Sequence, residues 1–278
     1  MTPLTPVSAE LIRDAYALAQ SAAGAAGVSV RLAEAPDMSG VIGLFERTWG
    51  VGRSPDRSML LALDYAGNTV ITAVADGQQI GAALGFLGWG NGLHLHSHMA
   101  AVVPWRRSAG VGYALKLFQR AVCLQNGVTE MRWTFDPLIR RNAHFNLVKL
   151  GAEVTAFLPD FYGRLDDAIT GSDQSDRFEV RWRLDSERVR AALAGEPPPP
   201  WTAAERLPLD VDFERHRADA PDAAAALRAS SRALFASVLA RGLRPEVNAD
   251  NDYVFTADAA DGSSIARGGG GPRPKVSA

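Results

Sequence analysis

The chain has 278 residues, of which 47% are hydrophobic and 22% are charged, a composition typical of a globular protein. Its formal net charge of −2 gives no reason to expect a nucleic acid or an anionic membrane as a partner. The single cysteine, Cys123, excludes an intrachain disulfide, fits a reducing compartment and is expected to lie buried in a helix. We recognise neither a secretory signal nor a run of about 18 apolar residues, and therefore expect a cytoplasmic protein.

Apolar periodicity and turn residues divide the first 126 residues into helices and strands. Ser8 is a helix cap, and Ser54-Pro55 combines a cap with proline at the first helical position. The Asp76-Gly77 turn predicts a hairpin. The predicted elements are a helix at 8–24, a strand at 28–32, helices at 38–49 and 54–67, strands at 69–75, 79–87 and 93–103, and a helix at 110–126.

The second half continues the pattern and then changes character at a stiff proline-rich linker, residues 195–200. Before the linker we predict a strand at 130–135, a helix at 139–150, and strands at 153–158 and 177–184. After it, alternating apolar residues predict a strand at 207–213, a helix that ends at Gly242, and a short strand at 253–255. This extension is too small to bury its own core, so we expect it to dock on the main sheet or on a partner subunit in a homodimer.

These boundaries predict four parts: an N-terminal helix at 1–27, a main domain at 28–185, a linker and strand–helix–strand extension at 186–256, and a tail at 257–278. The alternation of elements in the main domain indicates an α/β (α+β) fold with a mixed sheet flanked by helices. The tail is rich in Gly, Ser and Pro, and we expect it to be disordered.

The most informative segment is residues 107–112, Arg-Ser-Ala-Gly-Val-Gly, at the junction between a strand and a helix. Glycines there allow a sharp turn and a close approach of backbone N–H groups to a ligand. The first turn of a helix also leaves N–H groups without partners and carries the positive end of the helix dipole. The junction therefore predicts an anion site suited to a pyrophosphate, although similar turns also occur in ordinary loops. The dinucleotide and P-loop glycine motifs are both absent.

Three of the five histidines, His94, His96 and His98, alternate along the strand that precedes this junction. Alternation predicts that their side chains share one face of the strand. They could be packed imidazoles, or ligands of a metal in a hydrolase-like site. A metal would need further ligands, and only His144, His216 and carboxylates remain to supply them.

Residues 28–184 resemble the GNAT superfamily of acyl-CoA-dependent N-acyltransferases. The resemblance rests on residues 102–112, Val-Val-Pro-Trp-Arg-Arg-Ser-Ala-Gly-Val-Gly, and on residues 141–151, Arg-Asn-Ala-His-Phe-Asn-Leu-Val-Lys-Leu-Gly. Residues 158–163, Leu-Pro-Asp-Phe-Tyr-Gly, and the C-terminal extension further resemble a subgroup associated with the N-acylation, including N-succinylation, of amino acids. Two departures are Leu147, where the family often has a tyrosine acid, and Arg140, where it often has asparagine.

The resemblance implies a splayed central sheet and acyl-CoA, either acetyl-CoA or succinyl-CoA, as co-substrate, with no metal. It implies that backbone groups around Ala101, Val102 and Val103 pair with the pantetheine arm and polarise the thioester carbonyl. The pyrophosphate would be held by Arg107, Ser108, Ala109, Gly110, Val111 and Gly112. A catalytic carboxylate of related enzymes lies eleven residues before Arg107, which corresponds here to His96.

A base near neutral pKa suits the deprotonation of an amine, so we predict His96 as the base and His98 as the next candidate. Tyr162 is the predicted acid for the leaving thiolate, or else an aromatic residue packed on the core. Asn142 and Asn146, spaced i and i+4, are predicted to bind the pantetheine arm or the acceptor, or else to lie on a solvated surface. Arg140 and Arg141 are expected either to reach an anionic group or to remain solvated.

The predicted activity is the transfer of an acetyl or succinyl group from acyl-CoA to a primary amine of a small molecule, with an amino acid as one such acceptor. Attack would be direct, because no cysteine or serine nucleophile is required. Two alternatives are a non-catalytic acyl-CoA-binding sensor or docking protein, and a metal-dependent hydrolase that uses the three strand histidines. Neither a nucleic acid nor a membrane is expected as a partner.

Overall fold

The computed structural model describes residues 6–259 other than 164, 166, 168–170 and 172. Its helices are α1 Ala9–Ala25, α2 Met38–Trp49, α3 Arg57–Tyr65, α4 Val111–Gln125, α5 Arg140–Ala143, α6 Glu187–Leu193, α7 Phe213–Asp219 and α8 Pro221–Ala240. Its strands are β1 Ser29–Leu32, β2 Thr69–Ala75, β3 Gln78–Gly88, β4 His94–Val102, β5 Glu130–Phe135, β6 Glu153–Leu158, β7 Arg177–Arg183, β8 Glu205–Leu207, β9 Arg244–Val247 and β10 Tyr253–Thr256.

Seven strands form one mixed sheet in the order β1-β2-β3-β4-β5-β7-β6. Every neighbouring pair is antiparallel except β4 and β5, which are joined in chain order by the crossover helix α4. The predicted mixed sheet flanked by helices is therefore confirmed. Among the described residues, no helix combines the length and the apolar character needed to cross a membrane.

The parallel pairing of β4 with β5 is very short. It consists of Leu95 opposite Met131 and His96 opposite Arg132, although β4 continues to Val102 and β5 to Phe135. β4 remains paired with β3, and β5 with β7, along the rest of their lengths. The sheet therefore splays between β4 and β5, as the resemblance implied.

A β-bulge lies in β4 beside this opening. Leu84 of β3 faces Met99, and the next residue of β3, Gly85, faces Ser97, so His98 is an additional residue in β4. Side chains of paired residues lie on the same face of a sheet. The bulge thus shifts the alternation of β4 by one residue beyond His98, and Met99 enters the core formed with α2.

Helix α4 is buried on both sides because α1 covers the face that points away from the sheet. Small residues make this close contact: Ala15, Ala19 and Ala23 of α1 are all buried at a spacing of four residues. Ser8 caps α1 as predicted, and its hydroxyl accepts from Leu11 N at 3.2 Å. α3 begins later than predicted because Asp56, rather than Ser54, is its cap and accepts from Met59 N at 2.8 Å.

The C-terminal extension forms a second sheet, ordered β8-β10-β9, and this sheet, α7 and α8 share one hydrophobic core with the main sheet. Its aromatic side chains share the main core: the Phe235 ring lies 4.7 Å from Phe178 and 5.4 Å from Phe157. The Tyr253 ring lies 5.7 Å from Phe178. In this chain the extension docks on its own main sheet.

The strand–helix–strand prediction for the extension was incomplete. β8 ends at Leu207, and Phe213 begins α7 because Asp212 accepts from Arg215 N at 3.0 Å and caps the helix. Strand β9 and, in the region predicted as linker, helix α6 were also missed. Most of the predicted disordered tail, residues 260–278, lies outside the described residues.

A buried arginine fixes α8 to the end of β5. Arg228 is 1% exposed and donates two hydrogen bonds to Asp136, at 2.8 and 2.7 Å, and two to Asp173, at 2.7 and 3.4 Å. Burial raises the pKa of Asp173, but the bonds and charges of Arg228 and Arg217 outweigh it and give a net lowering. The network therefore favours the ionised form of Asp173 and joins α8 to the end of β5 through Asp136.

We expect Arg228→Met to lower the free energy of unfolding by about 3–5 kcal/mol, because it leaves the partly buried Asp136 without its cation and leaves Asp173 with Arg217 alone. Urea unfolding followed by fluorescence measures the change. The matched control is Arg215→Met, which removes an exposed i,i+4 pair with Asp219 and should cost at most about 0.5 kcal/mol. Equal effects of the two substitutions would contradict the assignment.

Candidate functional site

The glycine junction forms an exposed turn directly before α4. A short 3₁₀ turn, Pro104–Arg106, leads into it, and the backbone is left-handed at Ser108, with φ 62°, and at Gly110, with φ 85°. Residues 107–110 are exposed. No side chain caps α4, so the N–H groups of its first turn have no partner within the helix. An added Cβ at Gly112 would meet nothing within 4 Å, which leaves room for a ligand.

The two arginines of this turn have different environments. The guanidinium of Arg106 donates to Ala26 O at 3.0 Å and to Gly27 O at 3.2 Å, which ties the turn to the end of α1. Arg107, the residue that the motif singled out, is exposed. It is therefore the side chain of the pair that is free to meet an anion.

Beyond His96, one edge of β4 faces the opening between β4 and β5. Val103 donates its N–H to Ile80 O at 2.9 Å, and its carbonyl accepts from Arg106 N at 3.0 Å. Its backbone is therefore already bonded, contrary to its predicted role. Backbone N–H and C=O groups alternate in direction along an antiparallel strand. Those of Ala101, like those of Val103, therefore point toward β3, and those of Val102 and Ala100 point into the opening. Of the three predicted residues, only Val102 presents its backbone there.

His96 and His98 lie on the same face, as predicted. Their ring centroids are 5.9 Å apart, and both contact Phe86, at 5.3 and 5.7 Å. His98 is exposed at the bulge, whereas His96 is partly buried. Burial, followed by the nearby charges of His98, His94 and Lys116, lowers the pKa of His96 to about 4. Burial also lowers the pKa of His98.

His94, the third residue of this strand pattern, is 8% exposed, and its Nδ1 lies 2.8 Å from Gly92 O. It is packed against the end of the β3–β4 hairpin. Within the part of the chain that the structure describes, no three His, Cys, Asp or Glu side chains are grouped so that they could hold a metal ion.

Tyr162 lies across the opening from the histidines, on the side of β5. Its hydroxyl is 3.2 Å from Thr134 Oγ1, and Thr134 shares a face with Arg132, the residue opposite His96. Ser175 holds the loop, since its Oγ accepts from Tyr162 N at 2.9 Å. Tyr162 is 39% exposed, so it is not an aromatic residue enclosed in the core.

The segment that carries the two asparagines is not a regular α-helix. α5 is followed by a π-helical turn, His144–Lys149, which rotates Asn146 inward. Asn146 is 4% exposed, and its Oδ1 accepts from Trp133 Nε1 at 3.0 Å. Asn142 remains partly exposed. Asn146 therefore fixes Trp133 of β5, and only Asn142 has a surface position.

Arg140 and Arg141 contact the C-terminal extension rather than a ligand. Arg140 donates to the carbonyls of Asp250 and Asn251, and Arg141 pairs with Glu214. His144 Nδ1 lies 2.5 Å from Asn251 Oδ1 in the same contact. Arg140 and His144 thus bind the turn between β9 and β10, and Arg141 binds α7; no local sequence pattern indicated these contacts.

The sequence prediction missed a chain of buried polar groups beneath β4. Lys116 Nζ donates to Ser97 Oγ at 2.7 Å, and Ser97 donates to Gln119 Oε1 at 2.8 Å. Gln119 in turn donates to Thr69 Oγ1 at 2.8 Å. All four side chains are buried. The only local signal was a set of polar residues at helical spacing on the buried face of α4.

No protein-family model and no curated protein matches the sequence. Solved structures do resemble the fold. The ribosomal-protein alanine N-acetyltransferase of Escherichia coli matches 57% of this chain and 95% of its own, with 12% identity and a TM-score of 0.47. An N-acetyltransferase from Staphylococcus aureus matches 56% and 99%, with 11% identity and a TM-score of 0.46. An acetyltransferase of the GNAT family from Streptococcus pneumoniae matches 55% and 97%, with 10% identity and a TM-score of 0.45. Likeness at this level does not identify a substrate.

We expect His96 to stay neutral down to a pH of about 4, far below its protonation in the unfolded chain. Below pH 6.5 the imidazole of His96 takes up a proton in the unfolded chain but not in the folded protein. The free energy of unfolding therefore falls as the pH decreases from 6.5 toward 4, and His96 causes no such loss above pH 6.5. NMR titration of the imidazole resonances, assigned with His96→Gln, measures this in the folded protein and in urea. A midpoint near the ordinary value in the folded protein would contradict it.

Proposed function

We propose that this protein transfers an acyl group from acyl-CoA to a primary amine of a small molecule. The observation that carries the proposal is the continuity of two features: a turn with free amides, and an unpaired strand edge that begins beside it. Val102 lies on that edge, and Gly110 and Gly112 lie in the turn. A ligand with a pyrophosphate at one end and an amide-containing arm fits this combination.

The dimensions of the opening support CoA as this ligand. From the turn to the bulge, residues 98–103 span about 16 Å at roughly 3.3 Å per residue. An extended phosphopantetheine arm has a similar length. With its phosphates at 107–112 and its amides on the edge of β4, its thioester reaches the level of His98.

We assign the acceptor amine to the histidine face, the face of β4 that carries the side chains of His96 and His98. His98 is exposed there and would take a proton from the ammonium group, directly or through water. His96, the first choice from the sequence, is a weaker proton acceptor because burial lowers its pKa to about 4. Tyr162, across the opening at Thr134, remains the predicted acid for the leaving thiolate.

The reaction then needs no covalent intermediate on the protein. The amine nitrogen attacks the thioester carbonyl, which the amide of Val102 would polarise. The C–N bond forms, the C–S bond breaks, and the electron pair leaves with sulfur. Cys123 takes no part, because it is buried and burial raises the pKa of its thiol to about 12.

The decisive test is thiol release from acetyl-CoA and succinyl-CoA with a panel of D- and L-amino acids and other small amines. Release that depends on the amine, with the N-acyl product identified by mass spectrometry, supports the proposal. CoA binding by calorimetry without turnover on a wide panel would instead indicate a non-catalytic acyl-CoA sensor. Absence of CoA binding would contradict both.

We expect Gly112→Ala to weaken CoA binding about tenfold or more, because the new methyl group fills the open space at the N-terminus of α4. Calorimetry with CoA measures the change. The matched control is Gly24→Ala in α1, where an added Cβ also meets nothing within 4 Å. That variant should bind CoA normally. Equal affinities for the two variants would place the phosphates elsewhere.

We expect His98→Ala to lower kcat about 100-fold or more and to leave CoA affinity within about threefold, since a positioned base contributes on this scale. His96→Ala should have the smaller effect of the two. Steady-state kinetics and calorimetry measure both variants, with His216→Ala in the extension as control. Full activity of His98→Ala would remove this residue from the mechanism, and a larger loss in His96→Ala would return the role to His96.

A further inference from the structure

Lys116 is an unusual residue in the core of this protein. It lies on α4, is 7% exposed, and extends toward the sheet on the face opposite the two histidines. Its Nζ is 2.7 Å from Ser97 Oγ on β4 and 3.8 Å from the centre of the Trp133 ring on β5. The amine therefore bridges the two strands at the point where they separate.

The amine has no acidic partner among the described residues. The groups that bear on its charge are Cys123 on α4 and His96 on β4, and no carboxylate is among them. Ser97 accepts one of its hydrogen bonds and donates a hydrogen bond of its own to Gln119. An uncompensated buried ammonium is costly, and a cation held over an aromatic ring is only partly stabilised.

Burial lowers the pKa of Lys116 to about 7. The amine therefore exists both as an ammonium and as a free base near neutral pH. A free thiol has an ordinary pKa of about 8.5, so proton transfer from such an ammonium to a thiolate is downhill. A permanently charged lysine at its ordinary pKa would be a poorer acid for this step.

We propose that Lys116 is a catalytic residue of the opening, which protonates the sulfur of CoA when the thioester breaks. The inference rests on the proposed function, because it places the sulfur at the end of the arm beside Ser97. The C–S bond breaks, its electron pair goes to sulfur, and one Nζ proton forms the S–H bond. The acceptor ammonium loses two protons in all, through His98 to solvent, and Lys116 regains one from solvent.

This assignment divides the proton transfers between the two faces of the sheet. The base on the histidine face and the acid on the α4 face are separated by the backbone of β4, so they do not neutralise each other. Ser97, between His96 and His98 in sequence, points to the α4 face and holds the amine in place. Lys116 then replaces Tyr162, the acid predicted from the sequence, as the proton donor to sulfur, and the Tyr162 hydroxyl lies at Thr134 on the other face.

The test measures the pH dependence of kcat for acyl transfer to an accepted amine. Thiol release gives the rate, and calorimetry with CoA gives the affinity of each protein for the donor. Wild type is compared with Lys116→Met, which keeps the length of the side chain without its charge. Gln119→Leu is the structural control, since it breaks the same buried chain but keeps the amine.

We expect kcat of wild type and of Gln119→Leu to fall as the pH rises above about 7, where Lys116 loses its proton, and we expect this fall to be absent in Lys116→Met. Lys116→Met should also lower kcat about 100-fold with CoA affinity unchanged. Equal kcat values and equal pH profiles in all three proteins would overturn the role of Lys116 and leave the proposed function standing. Failure of wild type to bind CoA would overturn both.

Discussion

The two-residue pairing between β4 and β5 is the constraint on which the rest of this structure depends. Each strand is held along its other side, β4 by β3 and β5 by β7, so the gap between them is not a local irregularity. Backbone groups inside a protein need hydrogen-bond partners, and an edge in the middle of a sheet offers several that point one way. The separation thus supports our proposal that a linear, amide-bearing ligand pairs with this edge of the sheet.

The bulge at His98 determines which side chains line each side of that gap. It lets β4 present His96 and His98 to one face and Ser97 to the other, where α4 supplies Lys116. The groups that we propose as base and as acid therefore lie on opposite faces of β4. Trp133, held by Asn146, completes the α4 side, so the π-helical turn contributes to the site indirectly.

Much of the fold was predictable because its signals are local. Helix caps such as Ser8, the Asp76-Gly77 turn and the glycine junction each act within a few residues. The partners of Arg140, Arg141 and Arg228 were not predictable, because these pairs join residues far apart in the sequence. The bonded backbone of Val103 and the buried amine of Lys116 depend on register and packing in the same way. The sequence thus indicated a candidate site, and the structure was needed to determine which groups in it are available.

The core that β7 shares with the extension has a consequence for the synthesis of the chain. Phe178 is enclosed by Phe235 and Tyr253, both of which leave the ribosome well after it. Until the extension has been synthesised, this side of Phe178 therefore lacks its cover, and the nascent main domain exposes aromatic surface there. We expect chaperones to bind that surface during translation.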